Sequence, residues 1–176
     1  AERVQHAMSV LDKRYPFYHR LVHEHIKLDP ERPFRVLAQL ACLKNSLRKK
    51  YLFVAHRLGG GVIKHLEELA NHLSETMDVV FLRPADNDSV ELCGLYNGYD
   101  WSLFFNITTE LHGLHDVLQT IGIERAHIHH VMGLPDAIYT IFEELSLPYD
   151  ITLHDYYFVN ANPTLINKDG VFAEER

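Results

Sequence analysis

The sequence predicts an α/β domain built on a mainly parallel sheet with helices on both faces, preceded by a short helical segment. From Lys50 onward, short apolar runs alternate with amphipathic stretches in the order β-α-β-hairpin-α-β-α-β, a pattern typical of layered α/β folds. The first run, Tyr51–His56, is almost continuously apolar, as expected for a strand buried on both faces of a sheet. Right-handed crossovers then place the connecting helices over the sheet.

Local patterns define the individual elements. Asn97-Gly98 between two apolar runs predicts a tight hairpin, and Thr108 or Thr109 is the expected N-cap of the helix that follows it. Helices are otherwise recognised by an apolar stripe at helical spacing. The predicted strands are Tyr51–His56, Met77–Leu82, Val90–Tyr96, Trp101–Ile107, Ala126–Val131 and a short buried strand at Tyr149–His154; the predicted helices are Val62–Leu73, Thr108 or Thr109 to Ile121, and Pro135–Leu145.

Residues 1–48 are predicted to form a helical leader or linker ahead of an α/β domain at residues 49–176. The helices in this segment are expected to break at Pro16 and again between Asp29 and Pro33, because proline interrupts helices. The segment is also basic, since residues 1–50 hold 11 of the 17 Lys and Arg but 5 of the 24 Asp and Glu. Such a segment can dock on the acidic body or make peripheral contact with an anionic membrane.

Bulk properties argue against several classes of protein. No apolar run approaches the roughly 18 residues of a membrane helix, and the first 20 residues lack the apolar core of a signal peptide. The acidic body argues against nucleic-acid binding, which needs a basic surface. Cys42 and Cys93 fit neither a disulfide framework nor a metal motif. Both are expected to be reduced thiols in a cytoplasmic protein.

A glycine-rich turn between the first predicted strand and helix is a candidate anion site. Gly59, Gly60 and Gly61 would let the backbone approach a ligand that any Cβ would exclude. The N–H groups of Gly61 and Val62 would then lie at the positive end of a helix dipole. The spacing differs from the dinucleotide-binding and P-loop motifs. A tight strand-to-helix turn without a ligand is an equal alternative.

His154-Asp155 is the sharpest polar pair in the chain. It follows the last predicted strand, so both side chains are expected at the carboxyl edge of the sheet, where open α/β folds bind ligands. Neutral imidazole can donate to a sugar hydroxyl or a phosphate oxygen, and a carboxylate can accept from a hydroxyl. The aromatic side chains that follow, Tyr156, Tyr157 and Phe158, could form an apolar wall or pack in the core. No G-x-S-x-G nucleophile motif accompanies the pair.

The histidines of the preceding strand leave a metal site as an open alternative. His127 and His129 would point to one face of a strand, because side chains alternate. With His154 and Asp155 from the neighbouring strand they could ligate a metal, although polar residues lining a crevice explain the pattern as well. We therefore assign no metal from the sequence.

Three motifs together carry a family resemblance: F-V-A-H-R-L-G-G-G-V-I-K-H-L-E-E-L-A-N-H-L, H-I-H-H-V-M-G-L-P, and L-P-Y-D-I-T-L-H-D-Y-Y-F-V-N-A-N-P. In these motifs the chain resembles the N-terminal half of the GT-B-fold glycosyltransferases, the large retaining group that includes bacterial mannosyl- and other hexosyltransferases. The resemblance extends from about Lys50 to Glu174 and implies a Rossmann-like domain.

The resemblance also implies a role for each candidate residue. The glycine turn and Val62 would lie against the donor diphosphate, and His154 with Asp155 would form the catalytic pair facing the transferred sugar. His130 and Tyr156 would lie on the acceptor side. No cofactor is implied, because the nucleotide sugar is itself the substrate.

The expected function is therefore that of the acceptor-side domain of a glycosyltransferase, moving a hexose from a nucleotide sugar to a glycan, lipid or other acceptor. The family places its nucleotide-binding glutamates in a C-terminal domain, so we expect the chain alone to be inactive and to belong to a longer protein. We expect that protein to be cytoplasmic. It could also associate with a membrane through the basic segment. The alternatives are a non-catalytic carbohydrate- or nucleotide-binding domain and a His/Asp metallohydrolase.

Overall fold

The computed structural model of the chain describes residues 2–96, 98–160, 162, 164–167 and 170–172. Contacts divide the chain into two compact units, of which the first ends at Ala38 and the second begins at Gln39. No helix in the described part of the chain is both long enough and apolar enough to cross a bilayer.

The first unit is helical, as the sequence predicts. It contains α1 (Glu2–Arg14), α2 (Tyr18–Leu28) and the start of α3 (Arg32–Lys44), which continues into the second unit. Helix α2 ends at Asp29, which adopts a left-handed conformation with φ 43° and donates its N–H to the carbonyl of His25. Pro33 lies in the first turn of α3, where a missing N–H costs no helical hydrogen bond.

The second unit is an α/β domain around a six-stranded mixed sheet, consistent with a Rossmann-like fold. The strand order is β4-β3-β2-β1-β5-β6. Strands β2, β1, β5 and β6 run parallel, whereas β3 and β4 form an antiparallel hairpin on β2. The strands are β1 (Lys49–Val54), β2 (Met77–Ala85), β3 (Ser89–Tyr96), β4 (Tyr99–Asn106), β5 (Arg125–Ile128) and β6 (Tyr149–Ile151); the helices are α4 (Gly60–Leu73), α5 (Ile107–Ile121) and α6 (Ala137–Glu144).

The central strand β1 packs on both of its faces. Phe53 forms a buried cluster with Ala55 and with Leu66 of α4, and further apolar residues of α4 pack around them. Leu52 and Val54 point to the opposite face and are equally buried. This arrangement confirms the prediction of a strand buried on both sides.

The structure corrects three details of the sequence prediction. Strand β6 covers only Tyr149–Ile151 and is exposed rather than buried, because it is the edge strand and has a neighbour on one side only. Strand β5 ends at Ile128, so it contains His127 but not His129 or His130. Helix α5 is capped by Asn106, not by Thr108 or Thr109. Of the predicted turn between β3 and β4, Asn97 lies outside the described residues.

Asn106 is expected to stabilise the domain through its cap. Its side-chain oxygen accepts the backbone N–H groups of Thr108 at 3.0 Å and Thr109 at 3.3 Å. We expect Asn106→Ala to lower the free energy of unfolding by about 1 kcal/mol, as measured by urea denaturation. The control Thr108→Ala removes a side chain that is exposed and should leave stability within about 0.5 kcal/mol. Equal losses in the two variants would contradict the assignment of the cap.

Candidate functional site

The carboxyl ends of β1 and β5 define the candidate site. The chain leaves β1 toward β2 on one side, while β5 lies on the other side of β1. Neighbouring parallel strands whose connections depart in opposite directions leave a crevice outside their carboxyl ends, and ligands of open α/β sheets bind there. The turn after β1 and the histidines after β5 flank this crevice.

The glycine-rich turn after β1 has the predicted conformation. Gly59 and Gly60 have φ values of 77° and 79°, a region that side chains disfavour. Gly59 is the N-cap of α4 and provides no side chain to cap the first N–H groups. A Cβ placed on Gly59, Gly60 or Gly61 would meet no described atom within 4 Å. The start of α4 therefore presents donors to open space.

A polar and aromatic cluster lies at the end of β1 and β5. We call it the edge cluster; it consists of His56, His130, Asp155, Tyr157 and Phe158. The rings of His56 and His130 are 4.5 Å apart between centroids, and Nε2 of His130 lies 3.2 Å from Oδ2 of Asp155. Tyr157 packs its ring on His130 at 4.9 Å. The edge cluster thus joins the end of β1 to the segment that follows β6.

Local hydrogen bonds hold the edge cluster in place. Nδ1 of His56 accepts the N–H of Leu58 at 3.1 Å, which ties this histidine to the glycine turn. Nδ1 of His130 accepts the N–H of Met132 at 3.1 Å. Oδ1 of Asp155 accepts the N–H of Tyr157 at 2.9 Å. The first two bonds fix the orientations of the two rings, and Nε2 of His130 faces the second carboxylate oxygen of Asp155.

A second cluster lies toward α4. We call it the histidine group; it consists of His65, His129 and His154, each of which offers a ring nitrogen within 4.8 Å of the other two. Nδ1 of His129 lies 3.2 Å from Nε2 of His154. His127 packs its ring on that of His129 but is not a member of the group, because its Nε2 bonds the hydroxyl of Thr152 at 2.8 Å.

Burial keeps most of these histidines neutral. Burial and, to a smaller extent, the neighbouring histidines together lower the pKa of His129 to about 3. Burial also lowers the pKa values of His56, His127 and His154. Burial opposes ionisation of Asp155, but the N–H of Tyr157 and the ring of His130 outweigh it, so the pKa of Asp155 lies below its usual value. The site therefore combines neutral imidazoles with one carboxylate.

The predicted site residues meet at this edge but divide between the two clusters. His154 belongs to the histidine group, while Asp155 pairs with His130 in the edge cluster. Tyr156 is 55% exposed, and the aromatic contact with His130 comes from Tyr157 instead. The side chain of Val62 packs on the core beside Phe53, which leaves only its N–H for the crevice.

Two residues of the site do not stand out in the sequence. His56 closes the first predicted strand, and its position directly before the glycine turn is the signal that could indicate it. The sequence does not distinguish His65 from the other histidines that lie on helices. His65 is exposed, yet its ring lies 5.2 Å from that of His154. Its place one helical turn after Gly61 is the feature that could have indicated it.

No protein-family model, curated protein or solved structure matches this chain. The resemblance in the three sequence motifs therefore stays a prediction, and the geometry of the site has to support any functional proposal.

The buried His56 makes stability depend on pH. An unfolded histidine titrates near pH 6.5, whereas folded His56, which faces His130, His154 and Asp155, binds its proton only at lower pH. Below about pH 6.5 the unfolded chain therefore binds more protons than the folded chain. The free energy of unfolding then decreases as the pH is lowered, until the pH passes below the pKa of folded His56. The slope from one such group is at most about 1.4 kcal/mol per pH unit.

We expect His56→Gln to flatten the dependence of the unfolding free energy on pH between about 6.5 and 5. Urea denaturation at several pH values measures this slope for the variant and for the unchanged chain. His72, exposed on the same helix as His65, supplies the control, because His72→Gln replaces a ring that stays in water. Parallel slopes for His56→Gln and the unchanged chain would contradict the prediction.

Proposed function

We propose that this chain is the acceptor-side domain of a glycosyltransferase that moves a hexose from a nucleotide sugar to a glycan, lipid or other acceptor. The observation that carries the proposal is the convergence of the glycine turn and the edge cluster on one crevice, between the ends of β1 and β5. On the basis of the sequence motifs, we propose further that the domain is the N-terminal half of a GT-B fold.

The glycine turn suits the donor diphosphate. Its N–H groups, together with the positive end of the α4 dipole, can stabilise the negative charge that grows on a leaving diphosphate. The cations beside the turn are already paired: Arg57 lies 3.5 Å from Glu91, and Lys64 lies 3.9 Å from Glu68. Full neutralisation of a diphosphate would therefore draw on a second, C-terminal domain of the kind that the resemblance implies.

The histidines and Asp155 suit sugar hydroxyls. A neutral imidazole can both donate and accept a hydrogen bond, which matches a hydroxyl better than a cation would. Asp155 stays ionised and can accept from a hydroxyl or help to remove its proton. Tyr157 and Phe158 add aromatic surface beside His130. We assign His154 to the transferred sugar, and His130 and Asp155 to the boundary between sugar and acceptor.

The proposed chemistry needs no protein nucleophile. A retaining or inverting transfer through an oxocarbenium-like state depends on positioned donors that act on developing charge. The basic N-terminal helices have no role in the proposed chemistry and can contact an anionic membrane that carries the acceptor.

Glycine substitutions test the diphosphate subsite. Gly61 lacks a positive φ, so Gly61→Val should keep the fold while its side chain displaces the anion. We expect binding of pyrophosphate and of a nucleotide sugar, measured by calorimetry, to weaken by roughly tenfold or more. Gly61→Ala should give a smaller loss, because its side chain is smaller.

A matched pair separates strain from ligand contact. Gly60→Ala and Gly122→Ala both place a Cβ at positive φ and should each lose about 1–2 kcal/mol of stability. Gly122 ends α5 at the amino edge of the sheet, so only Gly60→Ala should also weaken pyrophosphate binding. Normal binding by Gly61→Val would show that the turn is merely a connection.

The chain alone should not turn over nucleotide sugars. Two-domain active sites are completed only when both halves close around the donor. Incubation with UDP-glucose and GDP-mannose, followed by measurement of released nucleoside diphosphate, should show no release above background. Turnover would refute the two-domain proposal. If the chain is instead a non-catalytic binding domain, a larger protein that contains it should also show no transfer.

A further inference from the structure

We propose that His65, His129 and His154 bind a divalent transition metal, zinc above all, through three imidazole ligands with the fourth position open to solvent. This site is distinct from the edge cluster, and His154 is the one residue that it shares with the proposed transfer. It also differs from the set considered in the sequence, because His127 bonds Thr152 and Asp155 bonds His130.

The spacing of the ring nitrogens fits a tetrahedral zinc ion. Zinc–nitrogen bonds of 2.0–2.1 Å place two ligand nitrogens about 3.3–3.4 Å apart. Nδ1 of His129 and Nε2 of His154 are 3.2 Å apart. The third nitrogen, from His65, lies within 4.8 Å of both, and its exposed ring can rotate inward to close the remaining distance.

Burial and packing hold His129 as a rigid ligand. This side chain is fully buried, and Nδ1 is the ring nitrogen that it turns toward His154. The rings of Phe53 and His127 pack against His129 at 5.2 Å and 4.1 Å, which fixes the orientation of this ligand.

The three ligands come from three different elements. His65 belongs to α4, His129 follows β5, and His154 follows the edge strand β6. A bound ion would therefore clamp the first turns of α4 to the sheet. Burial decreases from His129 through His154 to His65, so the open fourth position faces solvent on the side of His65 and would hold water.

Zinc binding to the whole chain tests the proposal without any nucleotide sugar, so its outcome is independent of the proposed transfer. Calorimetric titration with zinc chloride at pH 7.5 should show one ion per chain. His65→Ala and His154→Ala should each weaken zinc binding by at least about 100-fold, because loss of an outer-shell partner alone costs 10–100-fold. Cobalt should give the visible absorption of a tetrahedral site, and His65→Ala should abolish it.

Controls distinguish this site from adventitious binding. His72→Ala removes an exposed histidine of α4, and His23→Ala removes an exposed histidine of α2. Both variants should bind zinc normally. His129→Ala can fail to fold, so the exposed His65 carries the test, with circular dichroism to verify the fold. Absence of one-to-one binding, undiminished binding by a folded His65→Ala/His154→Ala variant, or loss of binding in His23→Ala would each overturn the proposal.

Discussion

The carbonyl of Val54, at the end of the central strand, is the point on which the candidate site depends. It accepts the N–H of His129 at 2.8 Å and that of His130 at 3.2 Å. Strand β5 has already ended at Ile128, so these bonds hold two successive histidines against the end of β1. Successive side chains diverge, and His129 therefore joins α4 while His130 joins the edge cluster. A single acceptor thus organises two neighbouring polar clusters.

Side-chain contacts connect β5 and the residues after it to the segment that follows β6. Three contacts at a constant separation of 25 residues connect the two: His127 with Thr152, His129 with His154, and His130 with Asp155. Strand β6 itself is short and exposed. Each contact involves an imidazole ring, so the proposed metal site and the proposed sugar site both depend on the position of this segment.

The candidate site contains neutral imidazole rings and one carboxylate rather than many charged groups. Burial lowers the pKa values of His56, His129 and His154, while Asp155 remains an anion. On the other side of the crevice, the start of α4 contributes the partial positive charge of a helix N-terminus. This distribution favours a ligand with hydroxyls at one end and an anionic group at the other, which is the chemistry of a sugar diphosphate.

The sequence by itself determined the order of strands and helices, the buried central strand and the glycine turn, because local periodicity and glycine chemistry act over a few residues. It also indicated His154 and Asp155 as residues at the carboxyl edge of the sheet. Only the tertiary structure decided which histidines meet. Strand order and helix placement determine the short sheet edge, the contact of His56 with His130 and the approach of His65 to His129. Such contacts join residues far apart in the chain, and no local pattern encodes them.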